Sequence, residues 1–341
     1  MSRSDDRPAA LVTGAGGFIG AHLTRALLAR GRVRVIALDD LSGGFADNLP
    51  AGVELVEGSV TDAALVSRLF RQHRVRHVFH LAAYAAEGLS HFIRRFNYTN
   101  NVIGSVNLIN ESVVHEIDSF VFASSIAAYG SIASPMRESD RPAPEDPYGV
   151  AKLSVELDLA AAHKMFGLRY IVFRPHNVYG EYQNLGDPYR NVIGIFMNQI
   201  MQGKPMTIFG DGTQQRAFSY VGDIVGPMAE SPWVPAASCE TFNIGAEVPY
   251  SVNELAIAVG LAMGAPDHAI ERLPSRHEVH TAYSDHANAR RVFGIEKQMP
   301  LDVGLRRMAD WARAGGVRSS RPFRTVEIMR QLPERWRQLL D

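Results

Sequence analysis

The sequence predicts an α/β fold with a doubly wound parallel sheet. Three observations lead there. Short apolar runs alternate with amphipathic stretches from residue 9 to residue 173. A glycine-rich turn joins the first apolar run to the first amphipathic stretch. Beyond about Gly180 the alternation gives way to a different rhythm, which marks a smaller C-terminal α/β lobe.

The elements follow in order. Residues 9–13, 33–38, 53–56, 77–81, 120–124 and 170–173 read as strands. Residues 19–30, 63–72, 100–116 and 150–166 read as helices between them; in the first, Leu23, Leu27 and Leu28 share one side. Strand, glycine turn, helix and strand make a βαβ unit, so the sheet is of Rossmann type. Past Gly180 come a polar loop at 181–190, helices at 191–202, 251–263 and 301–314, and a short strand at 206–209 closed by Gly210-Asp211-Gly212. A linker is expected at 315–322 and a fourth helix over 325–340. Residues 1–180 are expected to form the cofactor domain, with segments near 213–245 returning to it, and 181–341 mainly the substrate lobe and tail.

Composition narrows the class. Of 341 residues, 46% are apolar and 21% charged, as in ordinary globular proteins. Thirty-five Lys and Arg oppose thirty-six Asp and Glu, which gives no net field to draw nucleic acid or an anionic membrane. The one cysteine, Cys239, excludes a disulfide framework and a cysteine metal cluster, and fits a reducing cytoplasm. Residues 1–10 lack an apolar secretion core, and the longest uncharged stretch, 119–136, is too rich in Ser to span a membrane. No metal is expected; His277 and His280 read as loop residues.

The turn Thr13-Gly14-Ala15-Gly16-Gly17-Phe18-Ile19-Gly20 follows a strand and opens a helix. Glycines there permit the tight turn, and the helix N-terminus offers N–H groups to a pyrophosphate. Asp39 ends the second strand, where a carboxylate accepts hydrogen bonds from an adenosine ribose and repels a 2′-phosphate. NAD is therefore expected over NADP, and residues 40–48 hold no Arg to reverse this. Tyr148 and Lys152 stand four apart, on one helix face. An ammonium beside a phenol favours phenolate, a base for a substrate hydroxyl. Ser125, in the loop after the fifth strand, can hydrogen-bond the same oxygen.

With these residues the chain resembles the extended short-chain dehydrogenase/reductases, and among them the nucleotide-sugar epimerases of the UDP-glucose 4-epimerase type. The resemblance spans roughly residues 9 to 310. It rests on the turn at 13–20, His80-Leu81-Ala82-Ala83, Asn101 with Gly104-Ser105, Ser125, Tyr148 with Lys152, Arg174-Pro175-His176-Asn177-Val178-Tyr179-Gly180, and Gly203-Lys204-Pro205 through Gly210-Asp211-Gly212.

The resemblance implies roles. Gly14, Gly17, Phe18, Ile19 and Gly20 would line the pyrophosphate, Asp39 and Asp40 the adenosine ribose, and Ser59 and Val60 the adenine. Leu81, Ala82, Ala83 and Asn101 would lie beside the cofactor, and Lys152 would also hold the nicotinamide ribose. Ser125, Tyr148 and Lys152 would be catalytic. Asn177 and Arg216 would meet the diphosphate. Asn191, Val192, Thr207 and Phe209 would border the base, and Arg276 or Glu278 the nucleotide ribose or phosphate.

Some positions depart from the family pattern. Ser59 stands where Asp is usual, Ala217 follows Arg216 in place of Asp, Arg276 is shifted by one, and Ala85-Ala86-Glu87-Gly88 replaces the common loop sequence near the sugar. These leave the sugar and base open, with UDP favoured by the family. The Asp-Glu pair of 4,6-dehydratases is replaced by Ile126 and Ala127, which transfer no protons. The expected activity is NAD-dependent C4 epimerisation of a nucleotide-diphosphate sugar in a cytoplasmic homodimer paired through residues 100–116 and 150–166. Net oxidation or reduction, or an atypical dehydration, is the alternative with the same three residues. A non-catalytic NAD-binding scaffold would have no use for them.

Overall fold

The computed structural model describes residues 6–189, 191–275, 279–316, 323 and 325–338. Seven parallel strands form the central sheet: β1 Ala9–Thr13, β2 Arg34–Asp39, β3 Glu54–Glu57, β4 Val75–His80, β5 Ser119–Ala123, β6 Tyr170–Pro175 and β7 Glu240–Ile244. Their order is β7-β6-β5-β4-β1-β2-β3. β7 comes from well beyond Gly180 and pairs with β6, Phe242 opposite Phe173.

The apolar runs are continuous because both faces of the sheet are covered. Ala10 and Val12 of β1 join one core with Phe79, Val121 and Phe173. Ala9 and Leu11 join the other with Val78, Phe120 and Val172. Helix α1 Phe18–Arg30 covers the first face; α2 Ala63–His73, α3 Gly104–Val114 and α4 Pro147–Phe166 cover the second. The smaller lobe pairs Met206–Phe209 with Ile270–Leu273 and packs α5 Val192–Met201 against α7 Val252–Ala262. Between these in sequence, α6 Val221–Glu230 lies on α1. The last long helix, α8, is Leu301–Gly315.

Several boundaries differ from expectation. α4 begins at Pro147, not at 150, because the Asp146 carboxylate accepts the Gly149 N–H and Pro occupies the first turn. Tyr148 therefore sits in the first helical turn. The helix expected from residue 100 opens with a π-helical turn, Thr99–Ile103, before α3. β4 stops at His80, so Ala82 and Ala83 lie in the loop beyond it. The expected C-terminal helix shrinks to Glu334–Arg337 among the described residues, behind Pro333. Most of the expected linker, 317–322, lies outside the described residues.

A buried polar chain ties four elements at the carboxyl edge of the sheet. Ser124 Oγ donates to Glu156 on α4, and Glu156 pairs with Arg174 of β6 through two hydrogen bonds, Nε to Oε1 at 2.9 Å. The Arg174 guanidinium lies 4.5 Å from the Tyr129 ring centroid. Tyr129 donates to Asn243 Oδ1 of β7 at 2.9 Å, and the Asn243 N–H donates to Glu138 at 2.8 Å.

Buried histidines make further ties. His80 Nδ1 accepts from Thr13 Oγ1 at 2.7 Å, and His80 Nε2 lies 2.8 Å from Ser105 Oγ. Ser105 spends its proton on the Asn101 carbonyl at 2.8 Å, so Nε2 must carry the imidazole proton. His176 Nδ1 donates to the Ala217 carbonyl at 3.1 Å, which leaves its Nε2 to accept from His286 Nε2 at 3.0 Å. All three rings are neutral, held so by burial.

Among the described residues no helix is long and apolar enough to cross a membrane, and no group of His, Cys, Asp or Glu side chains is placed to hold a metal.

Burial lowers His80 to about 3, His176 to about 4 and His286 to about 3, from 6.5. Below about pH 6.5 the unfolded chain therefore binds protons that the folded chain refuses. Stability should be full above that pH and fall as pH drops toward the folded values. Urea unfolding from about pH 7 down to about pH 5 checks this; a flat profile contradicts it.

Candidate active site

One cavity of about 1780 Å³ opens at the carboxyl ends of the strands. Open parallel sheets bind ligands there, where the strand order reverses. The reversal falls between β1 and β4.

At one end stands the glycine turn. Gly14 has φ +68°, and a Cβ there would meet the Ala82 backbone nitrogen at 2.8 Å. A Cβ on Gly20 would meet the Gly14 carbonyl oxygen at 2.0 Å. Glycine thus lets α1 press on the turn. Gly17 is the N-cap and supplies no side chain, so the first-turn N–H groups of α1 stay open to an anion. Gly14, Gly17, Phe18, Ile19 and Gly20 all line the cavity.

Asp39, buried at the tip of β2, accepts the Gly16 N–H at 2.9 Å and the Leu41 N–H at 2.8 Å. Burial pushes its carboxyl above the usual range, and the two N–H groups partly offset this. Asp40 accepts from the Ser42 N–H. Asp39, Asp40, Ser59, Val60, Leu81, Ala82 and Ala83 line the same end. A helix N-terminus without a side-chain cap, then a carboxylate at the next strand tip, fits a dinucleotide pyrophosphate and ribose.

Farther along stand Ser125, Tyr148 and Lys152. Tyr148 is 8% exposed and Lys152 3%, so both are held by packing. Lys152 Nζ donates to the Ala123 carbonyl at 2.7 Å and lies 4.8 Å from the Phe122 ring centroid and 5.7 Å from that of Tyr148. Burial lowers the Lys152 ammonium to about 7, against the pull of Glu156 one turn on. Ser125 Oγ accepts the Ala127 N–H at 3.1 Å and caps a short turn over Ile126–Tyr129.

The other end takes in Asn177, Asn191, Val192, Thr207, Phe209 and Arg216. Asn177 has φ +41° and donates to the Ala217 carbonyl at 3.2 Å. Asn191 caps α5, and Thr207 hydrogen-bonds Gln199. Arg216 donates to the Val279 carbonyl at 2.6 Å and the His280 carbonyl at 3.0 Å. Arg276 and Glu278 lie outside the described residues.

Asn101 is a correction. It does not line the cavity beside the cofactor end; Asn100 does. Its carboxamide accepts the Tyr84 N–H at 2.9 Å and donates to Asn97 Oδ1 at 2.8 Å. Asn97 in turn donates to the Pro147 carbonyl at 2.8 Å. Asn101 thus braces the loop after β4 against the start of α4.

The structure adds residues that the sequence reading missed. Ser42, Gly43 and Gly44 close over the glycine turn, and Ile328, Arg330 and Trp336 come from the C-terminal segment. Gly44 has a signal in retrospect: a Cβ there would meet Gly16 at 2.5 Å.

The match to known families agrees with this geometry. Residues 10–245 match the model of the "NAD dependent epimerase/dehydratase family". The chain belongs to that family. It is an extended short-chain dehydrogenase/reductase, and its cofactor is NAD. The UDP-glucose 4-epimerase of Mycolicibacterium smegmatis is 33% identical over 312 residues, covering 89% of this chain and 98% of its own length. The Thermotoga maritima UDP-glucose 4-epimerase, solved with UDP-glucose, is 32% identical with a TM-score of 0.84, covering 90% of this chain and 99% of its own. The Thermus thermophilus UDP-glucose 4-epimerase, solved with NAD, is 29% identical with a TM-score of 0.84, covering 90% and 100%.

Proposed function

We propose that this chain interconverts C4 epimers of a nucleotide-diphosphate sugar, with a UDP-hexose as the favoured substrate. The observation that carries the reading is that Ser125, Tyr148 and Lys152 share one cavity with the glycine turn and Asp39. A sugar hydroxyl at Tyr148 therefore lies within the same enclosure as the cofactor site.

Bound NAD supplies a reversible hydride acceptor for the sugar's C4. The chain's own residues supply the rest. Lys152, protonated, favours the Tyr148 phenolate. Tyr148 takes the C4-hydroxyl proton and later returns it. Ser125 Oγ orients that hydroxyl. The 4-keto sugar must present its other face between the two transfers. Ile126 and Ala127 next to Ser125 carry no group to eliminate water, which disfavours dehydration.

The cofactor would lie along Gly14, Gly17, Phe18, Ile19 and Gly20, with Asp39 and Asp40 at the ribose and Ser59 and Val60 at the adenine. Asn177 and Arg216 would meet the diphosphate, and Asn191, Val192, Thr207 and Phe209 the base. Arg216 would trade its contacts with backbone carbonyls for phosphate oxygens. The same reading divides the chain into a cofactor part, 1–180 with 213–245, and a substrate part in the remainder.

A homodimer belongs to this reading. α3 and α4 lie side by side and carry apolar residues on their outer faces: Val114 is 72% exposed, and Leu157 63%. Covering such a face is favourable by about 25 cal/mol per Å². The lone cysteine fits a cytoplasmic enzyme.

Two outcomes are expected. Tyr148→Phe should lower turnover at least about 100-fold while the protein keeps its NAD and its sugar nucleotide affinity; proton NMR of a UDP-hexose mixture reads this, and near-wild-type turnover sinks the role of Tyr148. Light scattering should return twice the chain mass, and Leu157→Arg should halve it. A monomeric wild type overturns the dimer.

A further inference from the structure

The cavity continues past Ser125 and Tyr148 to a wall built by the last segment of the chain. Ile328, Arg330, Gln331, Pro333, Trp336 and Gln338 line it. This segment has a core of its own. Leu332 and Trp336 are buried with Ala86, Leu89 and Ile93, and Phe323 and Val326 pack at its edge. Among the described residues no strand of the central sheet contributes to that core. The Trp336 ring meets Phe92 edge-on at 6.2 Å and Tyr189 at 5.4 Å, so it stands between the loop after β4 and the Tyr189 side chain.

Polar contacts fix the segment as well. The N–H groups of Arg95 and Phe96 each donate to the Glu327 carboxylate at 2.8 Å. The N–H groups of Glu327 and Ile328 donate to the Phe92 carbonyl at 2.8 and 3.1 Å. The loop held in this way touches the catalytic helix. Ser90 Oγ accepts the Tyr148 N–H at 3.3 Å and donates to the Glu87 carbonyl at 2.6 Å. The same short helix thus has Leu89 in the C-terminal core and Ser90 on the turn that carries Tyr148.

We propose that residues 325–338 form the sugar-selecting wall of this active site. Trp336 and Glu327 hold the loop 84–98 in place, and Arg330, Gln331 and Gln338 offer polar groups to the sugar. The proposal rests on the epimerase reading above and goes beyond it, because it says which part of the chain chooses the sugar. The nucleotide is placed elsewhere, along Asn191, Thr207 and Arg216.

The test compares Trp336→Ala with wild type, both loaded with NAD, by calorimetric titration of UDP, UDP-glucose and UDP-galactose. The expected result is a loss of about tenfold or more in affinity for the UDP-sugars, with UDP binding and NAD content kept. The ratio of kcat/KM between sugar nucleotides should shift too, and Trp336→Phe should restore it. Equal weakening of UDP and UDP-sugar, or no change in either, overturns the proposal. If Trp336→Ala does not fold, the double substitution Arg330→Ala with Gln331→Ala is judged by the same split. The epimerase reading fails separately, if wild type binds the sugar nucleotides and forms no C4 epimer. A wild type that forms the C4 epimer yet binds UDP-sugars no better than UDP overturns the sugar-selecting wall alone.

Discussion

The site depends on one docking: α4 against the carboxyl ends of β5 and β6. Lys152 is driven into the interior there, with its ammonium on the Ala123 carbonyl. One turn on, Glu156 takes Ser124 and Arg174. A buried ammonium is tolerated only where it finds an acceptor and a compensating charge. Both are supplied by residues that also fix the helix axis. Breaking one partner of such a buried pair generally costs about 3–5 kcal/mol. The position of Tyr148 is therefore set by the same contacts that hold the sheet to its helix. Proximity between a base and a hydroxyl is useful only at fixed geometry.

The cavity follows from the strand order. Turns after β1, β2, β4, β5 and β6 all meet at one edge, so the uncapped start of α1, the Asp39 carboxylate, Ser125 and Asn177 converge without being neighbours in sequence. His80, spanning Thr13 and Ser105, keeps β1, β4 and α3 in register beneath that edge. Asn101 and Asn97 then carry the loop after β4 to the start of α4.

Much of this was legible in the sequence. Strands buried on both faces show as unbroken apolar runs, and the glycine turn and the Tyr148–Lys152 spacing state local geometry directly. What stayed hidden depends on contacts between distant segments. Asn101 is polar and near the loop, so sequence cannot tell a cofactor ligand from a brace on Tyr84 and Asn97. The stretch 325–340 has apolar residues at helical spacing, yet Pro333 stops the helix and Leu332 and Trp336 are recruited by Ala86, Leu89 and Ile93. The first turn of α4 was hidden behind a proline that ends helices in their interior and starts them at their N-terminus.

The central claim is that hydride leaves C4 and returns to C4 within one enclosure. The most direct measurement is incubation of the purified protein, without added NAD, with UDP-glucose deuterated at C4, followed by NMR. The account predicts UDP-galactose that retains deuterium at C4. A C4 epimer that has exchanged its deuterium for solvent hydrogen, or no C4 epimer while the sugar nucleotide binds, would contradict it.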